Sequence, residues 1–422
     1  MDWAGDKMRR TTKVQILFLS ALCISMISMP AIASGYTLEV FGNANMNDAI
    51  NDDDIAYVEG IIRGENELTE LADANYDGRV DEKDVAQIQQ MINGEDVEVN
   101  FLDSDNKVVT VKRPVERVLA LGTTHVEVLR SLKAEDRIAG VSTYVTDKPD
   151  FFPEMTDVPT VGSGWTPDYE AIISLDLDLI LQFSGWTPEL ESNLQGTDIA
   201  VARLGFKMVD YTSEVARLGY VLSTEDSASE IIDFHDGYTK IIGDGVDGLS
   251  EEEKPKVFLE WDPDYQTDTN GSLHQLCEMA GGVNIAADLP GKNPTIDAEW
   301  LMTEDPDVMV KFPFRKTADH GYTVDDPSEL ERLRESVMFR PGSADITAVK
   351  EGRVYVVGQE IVSGPRALVA VAYLAKWFHP DLFVDLDPQA IHQEYLTRFQ
   401  GLDYDLSKEG IFVYPIPEGD GR

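Results

Sequence analysis

A gapless internal repeat constrains the fold of this chain more than any other feature of its sequence. The segment DYEAIISLDLDLILQF at 168–183 aligns with DAEWLMTEDPDVMVKF at 297–312, and the two copies start 129 residues apart. Each copy joins a short helical pattern to an apolar run that is typical of a buried strand. Glu170 of the first copy corresponds to Glu299 of the second. The repeat predicts two lobes built on one plan with these acids at equivalent places, although the helix dipole alone also favours acids near a helix N-terminus.

The segments around each copy complete two α/β patterns. Residues 117–142 have the pattern strand, turn, helix and strand, and a further strand pattern, IAVARLG, follows the first copy. The second pattern starts at KVFLEWD and reaches the strand pattern RVYVV. Strands that alternate with helices are typical of a parallel sheet covered by helices. The predicted fold class is α/β, with two Rossmann-like lobes over 100–222 and 254–402 and a C-terminal tail over 403–422.

One long helix is predicted over 224–243, between the two lobes. Its sequence, TEDSASEIIDFHDGYTKII, carries apolar residues largely on one stripe and acidic residues near its start. We expect the Thr224 hydroxyl to cap the first turn, and Gly243 and Gly245 to end the helix.

The N-terminal 33 residues have the pattern of a secretory signal. Basic residues precede the apolar run ILFLSALCISMISM, and Ala31-Ile32-Ala33 forms a small-residue cleavage site. We expect residues 1–33 to be removed after Ala33, so that the protein is secreted, periplasmic or held at the cell surface. The alternative is an uncleaved membrane anchor, because the run is near the lower length limit for spanning a bilayer. The bulky Leu22 before Cys23 argues against a lipid anchor.

The overall charge excludes one class of partner. The 422 residues include 77 acidic and only 35 basic side chains, which gives a net charge of −42. A surface of this sign repels phosphate backbones, so the chain is not expected to bind nucleic acid.

Two twelve-residue loops with oxygen-bearing side chains recur at an interval of 30 residues near the N-terminus, and each precedes a helical pattern. This spacing wraps several oxygens around one point, as Ca²⁺ requires. The expected ligands of the second loop, the Arg79 carbonyl included, are Asp73, Asn75, Asp77, Arg79, Asp81 and Asp84. Those of the first loop are Asn43, Asn45, Asn47, Asn51 and Asp54. Because only Asp54 is charged among the latter, the first loop is expected to bind more weakly or to stay empty.

The paired loops, the Asp at position 12 and the single helix after each loop resemble a dockerin domain over 38–95. The resemblance implies a small all-α module that folds around Ca²⁺ and binds a cohesin-bearing partner. At the positions where dockerins usually select their partner, the chain has Asp52-Asp53 and Glu82-Lys83. These pairs differ from the common Ser/Thr pair, which leaves the type of cohesin open.

The larger remainder, about 100–400, resembles the helical-backbone substrate-binding proteins of ABC importers, similar to those for cobalamin and iron-siderophores. The resemblance is carried by PVERVLAL, DRIAGVS, the YEAIISLDLDLIL unit, HQLCEMAGGVNIA and MFRPGSADITAVKEGRVYVV, in that order. It implies two lobes joined by one helix, with a metal-chelate ligand between them. It also implies that Glu170 and Glu299 dock to arginines of an ABC permease.

Candidate ligand residues follow the predicted strands, because ligands of such folds bind at the carboxyl ends of strands. Aromatic faces suit a large flat or greasy chelate, and a guanidinium suits carboxylate or catecholate oxygens. The candidates are Tyr144, Trp165, Trp186, Trp261, Phe314 and Arg315. Aromatic residues next to glycines at strand ends also pack inside lobes, so that interpretation stays open for each. For a metal in the cleft, His125 in the loop after the first strand is the only well-placed histidine, and His320 could approach from the second lobe, but neither belongs to a close metal-binding cluster. His125 could also ligate haem iron, with a surface or capping histidine as the alternative.

Three functions remain open from the sequence. The first is a receptor that captures a metal chelate of the iron-siderophore, cobalamin or haem class and delivers it to an ABC permease. The second is a secreted enzyme acting on polysaccharide, since dockerins usually carry such enzymes, although no pair of catalytic carboxylates is recognisable. The third is an adhesion or scaffolding part that has lost transport.

Overall fold

The computed structural model describes residues 35–416. The predicted signal peptide 1–33 therefore lies outside the described residues, as do residues 417–422. Within 35–416, no helix is both long enough and apolar enough to cross a membrane.

Helices and strands alternate through most of this region. The helices are α1 (Asp52–Arg63), α2 (Glu82–Ile92), α3 (Thr123–Ser131), α4 (Thr143–Thr146), α5 (Tyr169–Ser174), α6 (Leu190–Asn193), α7 (Tyr211–Leu222), α8 (Glu225–Val246), α9 (Ser272–Met279), α10 (Ala298–Glu304), α11 (Ser328–Met338), α12 (Thr347–Lys350), α13 (Ala367–Phe378) and α14 (Pro388–Glu394). The strands are β1 (Glu98–Leu102), β2 (Val108–Lys112), β3 (Val118–Ala120), β4 (Ile138–Val141), β5 (Leu179–Gln182), β6 (Ala200–Arg203), β7 (Lys256–Trp261), β8 (Gln266–Thr267), β9 (Val283–Asn284), β10 (Val308–Lys311), β11 (Val354–Val357) and β12 (Val413–Tyr414).

The first lobe is built on a four-stranded sheet of order β4-β3-β5-β6. All three strand pairs are parallel. Every residue of β3 and β5 is buried, as expected for a parallel sheet whose two faces are both covered. The carboxyl ends of the strands therefore meet at one edge, where their following loops can form a site.

The second lobe has a mixed sheet of order β12-β11-β10-β7-β8, with β9 added beside β7. The central pairs β10–β11 and β10–β7 are parallel, whereas β8 and β12 are antiparallel to their neighbours. Within the predicted tail over 403–422, Val413–Tyr414 pairs with β11 and extends this sheet.

The helix α8 follows the first lobe and precedes the second, and it differs from the prediction at both ends. It starts at Glu225, and Thr224 forms no side-chain cap. It also continues through Gly243 and Gly245 to Val246. A Cβ at position 245 would lie 2.6 Å from the Phe383 ring, so close packing against the second lobe requires glycine inside this helix.

The N-terminal helices are joined to the first lobe through the antiparallel hairpin β1–β2. The backbone N–H of Phe41 donates to Asn100 O, and that of Leu102 donates to Glu39 O, so residues 39–41 lie alongside the hairpin. Glu39 also pairs with the buried guanidinium of Arg217 on α7. The core of the first lobe continues into this region through Val40 and other buried residues.

Candidate functional site

The internal repeat is present in three dimensions. Residues 168–182 and 297–311 have the same succession of exposed, intermediate and buried positions. In each copy an aspartate caps a short helix: Asp168 accepts from two amides of α5, and Asp297 accepts from Trp300 N at 2.7 Å. In each copy an aspartate with a left-handed backbone, Asp176 or Asp305, ends the helix before its strand. The two lobes therefore carry the same surface unit.

The two repeat acids occupy equivalent exposed places in this unit. Glu170 lies in the first turn of α5, and Glu299 lies in the first turn of α10. Both side chains are exposed. Each carboxylate lies at the positive end of its helix dipole, which favours an acid at this place.

A cleft cavity of about 720 Å³ opens between the two lobes. Its walls come from the loops after β3, β5 and β6 on one side, and from α9 and the segment before α13 on the other. Residues that line it include Ser104, Thr123, Thr124, Phe183, Ser184, Trp186, Lys207, Asp210, Glu214, Ser272, Gln275, Lys292 and Ser363. At its floor the lobes touch, because a Cβ on Gly364 would lie 2.7 Å from the Thr124 methyl group.

Three of the predicted ligand residues form one aromatic group on the first lobe. The Trp165 and Trp186 rings stack with centroids 4.0 Å apart, and Tyr144 meets Trp186 edge-on at 6.2 Å. Tyr144 Oη and Ser163 Oγ share a hydrogen bond of 3.1 Å. Trp165 remains 49% exposed although it is stacked. An exposed indole face of this kind can stack on a flat ligand.

The other predicted ligand residues lie on the second lobe. Trp261 and Phe314 are nearly parallel, with centroids 6.3 Å apart. Phe314 N donates to Asp262 Oδ2 at 2.7 Å, which fixes the loop after β10 to the loop after β7. Arg315 lines a separate, smaller cavity of about 70 Å³ with Lys148 and other residues of both lobes. Of the six predicted ligand residues, only Trp186 lines the 720 Å³ cavity, so the six are not brought into one pocket.

A buried charge cluster supports this second aromatic group. Lys311 Nζ contacts Glu260 Oε1 at 3.1 Å, Asp262 Oδ1 at 3.0 Å and Asp264 Oδ1 at 3.0 Å. Arg340 forms a two-pronged pair with Glu260 at 2.7 and 2.8 Å. The neighbouring carboxylates raise the pKa of Lys311 above its ordinary value despite the cost of burial. The three carboxylates are close in sequence, but their cations, Lys311 and Arg340, are distant in the chain, so the sequence did not reveal the cluster.

Two lysines of the cleft were also missed. Lys207 follows β6, and Lys292 lies in the loop before α10, so each lobe supplies one. Both side chains are exposed, and neither forms an ion pair within residues 35–416. An acidic group on a ligand could therefore pair with either ammonium. The only sequence signal was their position in loops after strands or before helices, which many other lysines share.

The two candidate histidines are engaged in packing. His125 is fully buried, its Nδ1 accepts from Gly122 N at 3.0 Å, and its Nε2 lies 2.9 Å from Leu204 O. Burial lowers the pKa of His125 to about 4, so the ring is neutral. His320 is also buried, with Nδ1 2.7 Å from Ala318 O and Nε2 2.8 Å from Glu360. Because both rings use both nitrogens inside the protein, they are poorly placed to ligate a metal in the cleft.

Glu214 lies at the edge of the cleft cavity and joins two of its loops. It accepts hydrogen bonds from Ser104 Oγ at the hairpin turn and from Phe206 N after β6. Its burial raises the pKa to about 7, against the effect of these two donors. Ser104 lies before the repeat-bearing part of the chain, so this contribution to the cleft was not predicted.

The shifted pKa of Glu214 makes stability depend on pH. Between the ordinary value near 4.3 and about 7, the folded state holds a proton that the unfolded state has lost, so stability from this group falls as pH rises. We expect wild type to lose up to about 3 kcal/mol of unfolding free energy relative to Glu214→Gln between pH 4 and pH 8. Urea denaturation of both proteins across this range measures the difference. A difference that does not change with pH would contradict the prediction.

The two N-terminal loops have the same backbone arrangement. Buried Asp84 accepts from Asn75 N at 3.2 Å and from Asp81 N at 2.8 Å. Buried Asp54 accepts in the same way from Asn45 N at 3.1 Å and from Asn51 N at 2.9 Å. Each loop thus closes around the aspartate at position 12, which is the third residue of the following helix.

The donors of the second loop suit Ca²⁺ by their chemistry. All are oxygens, and Gly78 takes a positive φ of 87°, as the sharp turn of such a loop needs. Burial raises the pKa of the Asp84 carboxyl, and a nearby cation would favour its charged form. Lys83 Nζ lies 2.9 Å from Oδ2 of Asp77, one of the expected Ca²⁺ ligands. Within residues 35–416, no three His, Cys, Asp or Glu side chains are already arranged to hold a metal ion.

The arrangement of two α/β lobes around a ligand-sized cleft defines a class of solute-binding proteins. The periplasmic binding protein family matches residues 118–361, more than half of the chain, and the chain belongs to this family. Its members are solute-binding proteins of ABC transporters and work outside the cytoplasm, so the chain is not an enzyme. The alternative of a secreted enzyme acting on polysaccharide is therefore not supported.

Particular relatives are similar over most of their own length. The uncharacterised ABC transporter substrate-binding lipoprotein YvrC of Bacillus subtilis is 27% identical over 292 residues, which are 67% of this chain and 85% of that protein. The cobalamin-binding protein of Halobacterium salinarum is 26% identical, over 66% of this chain and 73% of that protein.

Solved structures share the fold. The TroA-like periplasmic binding protein FepB of Veillonella parvula has a TM-score of 0.63 and 23% identity, over 74% of this chain and 98% of that one. The molybdate-binding protein MolA of Haemophilus influenzae has a TM-score of 0.59 and 17% identity, over 72% and 99%. The matches confirm the α/β fold with two lobes.

Proposed function

We propose that the chain captures a metal-chelate compound of the cobalamin, iron-siderophore or haem class outside the cytoplasm and delivers it to an ABC permease. The observation that carries the proposal is the cleft of about 720 Å³, which is lined on the first lobe by Trp186, the ring on which Trp165 stacks. A volume of this size suits a ligand much larger than a bare metal ion or oxyanion. The Halobacterium salinarum relative, named a cobalamin-binding protein, supports the same class.

The surroundings of the cleft agree with a chelate rather than with a free metal. His125 and His320 use both ring nitrogens inside the protein. The ammonium groups of Lys207 and Lys292 form no ion pair with the described part of the chain, and they can meet acidic groups at the edge of a chelate. The metal would then be held by the chelator, and the protein would recognise the organic surface.

A thermal-shift screen of the mature chain tests the proposal. The probes are cyanocobalamin, haemin and a panel of ferric siderophores, and a tight ligand should raise the melting temperature. Titration of the hit should quench tryptophan fluorescence, and Trp186→Ala should weaken binding by at least about tenfold, through loss of a stacking contact. Trp377→Phe, at the buried Tyr355 stack, is the matched control that should leave affinity unchanged. If no probe binds, the proposal of chelate capture is wrong.

Glu170 and Glu299 complete the proposed transport role. We infer that these exposed acids dock the two lobes to basic residues of the permease. The support is their equivalent position in two copies of one surface unit, with matched exposure along fifteen residues. A partner that contacts both lobes would meet the same local geometry twice.

We further propose that residues 38–95 form a calcium-folded dockerin-like module. The support is the common hydrogen-bonded frame of both loops around Asp54 and Asp84. When bound, Ca²⁺ would neutralise the crowded carboxylates of the second loop and fix its turn. Such a module would bind a cohesin-bearing partner, and together with removal of the signal 1–33 it would retain the secreted receptor near the cell envelope.

Removal of calcium tests this second proposal. Chelation with EGTA is expected to release the receptor from the cell surface, because the loops lose the cation that orders them. Asp73→Ala should release it to the same degree without EGTA, whereas Asp48→Ala, at the turn position of the weaker loop, should have a smaller effect. The measurement is the fraction of receptor in the washed cell pellet. Retention that does not change with EGTA would contradict the role.

A further inference from the structure

The two repeated units share an exposed apolar side chain as well as an acid. Ile173 is 49% exposed on α5, and Met302 is 37% exposed on α10. They occupy equivalent places in the repeat, each three residues after Glu170 or Glu299. Residues three apart on a helix lie on one face, so each lobe presents an acid and an apolar group side by side.

The apolar part is larger on the second lobe. Phe339, at the end of α11, is 80% exposed, the most of any large apolar side chain within residues 35–416. Three residues later, a Cβ on Gly342 would lie 2.5 Å from Met302 Sδ. The turn after α11 therefore packs directly on Met302, and Phe339 lies at the start of this turn.

We propose that Ile173 and Met302, extended by Phe339, form the apolar half of the permease contact, with the two acids forming its charged half. The proposal rests on the docking role inferred for Glu170 and Glu299 and adds what holds the complex after the charges have met. The partner is a membrane permease that offers a basic residue beside an apolar pocket at two places. Charge complementarity selects this occupant, because the acids exclude an apolar or anionic surface.

The acids and the apolar side chains contribute to different steps of binding, because charged and apolar contacts act over different distances. Exposed charges act at a distance and are screened by salt, so the acids chiefly guide and orient encounter. Apolar side chains act only on contact, are insensitive to screening, and slow dissociation. The paired units predict that both halves are needed on both lobes.

Binding of the labelled mature chain to permease-containing membrane vesicles, prepared from cells that produce the protein, tests the proposal. Ile173→Ser with Met302→Ser is expected to weaken binding about ten- to a hundredfold at both low and high salt. Phe339→Ser should weaken it further. Glu170→Ala with Glu299→Ala should weaken binding by about a hundredfold at low salt and remove its salt dependence. Ile241→Ser on α8 and Val384→Ser, which are 53% and 69% exposed outside these units, are the matched controls and should bind as wild type.

The outcomes separate the new inference from the proposal on which it rests. If the alanine pair fails to bind and the serine pair binds as wild type, the apolar contact is wrong and the docking acids stand. If both pairs bind as wild type, the docking assignment and the apolar contact are both wrong. Equal binding to protein-free vesicles of the same lipid extract would also overturn the inference, because adhesion to lipid would then explain the exposed apolar groups.

Discussion

Replacement of Glu170 and Glu299 together by alanine is expected to reduce ligand uptake by at least about a hundredfold while leaving ligand affinity within about twofold of wild type. Each charge-assisted hydrogen bond lost to a permease arginine costs about 1.5–3 kcal/mol, and two losses multiply. Both acids are exposed on helices outside the cleft lining, so neither supports the ligand site. Uptake of radiolabelled chelate by whole cells and fluorescence titration of the purified variant measure the two quantities.

The control variant for this prediction removes the same number of negative charges from a different part of the surface. Glu135 and Glu351 are exposed acids that precede strands of the first and second lobe, at the ends opposite to the cleft loops. Alanine at both should leave uptake unchanged. A loss of ligand affinity in the Glu170 and Glu299 variant would defeat the docking assignment, since it would place these acids in the ligand site or in its support.

Glu127→Ala is expected to lower the free energy of unfolding by about 3–5 kcal/mol, because removal of one partner leaves a buried charge without compensation. Glu127 on α3 is 1% exposed and Arg366 is 5% exposed. Their two-pronged pair has distances of 2.7 and 2.9 Å and joins the first lobe to the second at the base of the cleft. Tyr395 Oη also donates to Glu127 at 3.1 Å. Urea denaturation of wild type and variant measures the loss.

A surface pair provides the comparison. Glu59 and Arg63 lie one turn apart on α1 and are about half exposed, so Glu59→Ala should cost less than about 1 kcal/mol. Glu127→Gln should fall between the two, because it keeps hydrogen-bonding oxygen at the site and loses the charge. If Glu127→Ala costs no more than Glu59→Ala, the lobes do not depend on this buried contact.

Much of the local structure could be predicted because it depends on neighbouring residues. The repeat gave the helix–strand units of both lobes, and α5 with β5 and α10 with β10 lie within the predicted segments. Strand hydrophobicity located β3, β7 and β11, and the twelve-residue spacing located the helices after both N-terminal loops. In each case, periodicity and turn residues within one segment carry the information.

Other local predictions failed where distant residues intervened. Gly243 and Gly245 do not end α8. The helix continues because the Phe383 ring packs against Gly245, and this contact stabilises a helical turn that has no side chain at that position. Val413–Tyr414, in the predicted tail, adds a strand beside β11, a long-range pairing that the local pattern did not indicate. Helix-stop and tail patterns are weak local preferences, and tertiary contacts of this kind override them.

The chain's sequence was sufficient to establish two α/β lobes of one design, a long connecting helix and a repeated pair of acids, because each depends on residues close together in the chain. Only the tertiary structure determined the composition of the cleft. It separated Trp186 from Trp261 and Phe314, brought Lys207 and Lys292 to one cavity, and buried the Glu127–Arg366 pair between the lobes. These outcomes depend on how loops from distant strands meet in space, and no spacing within a single segment encodes that meeting.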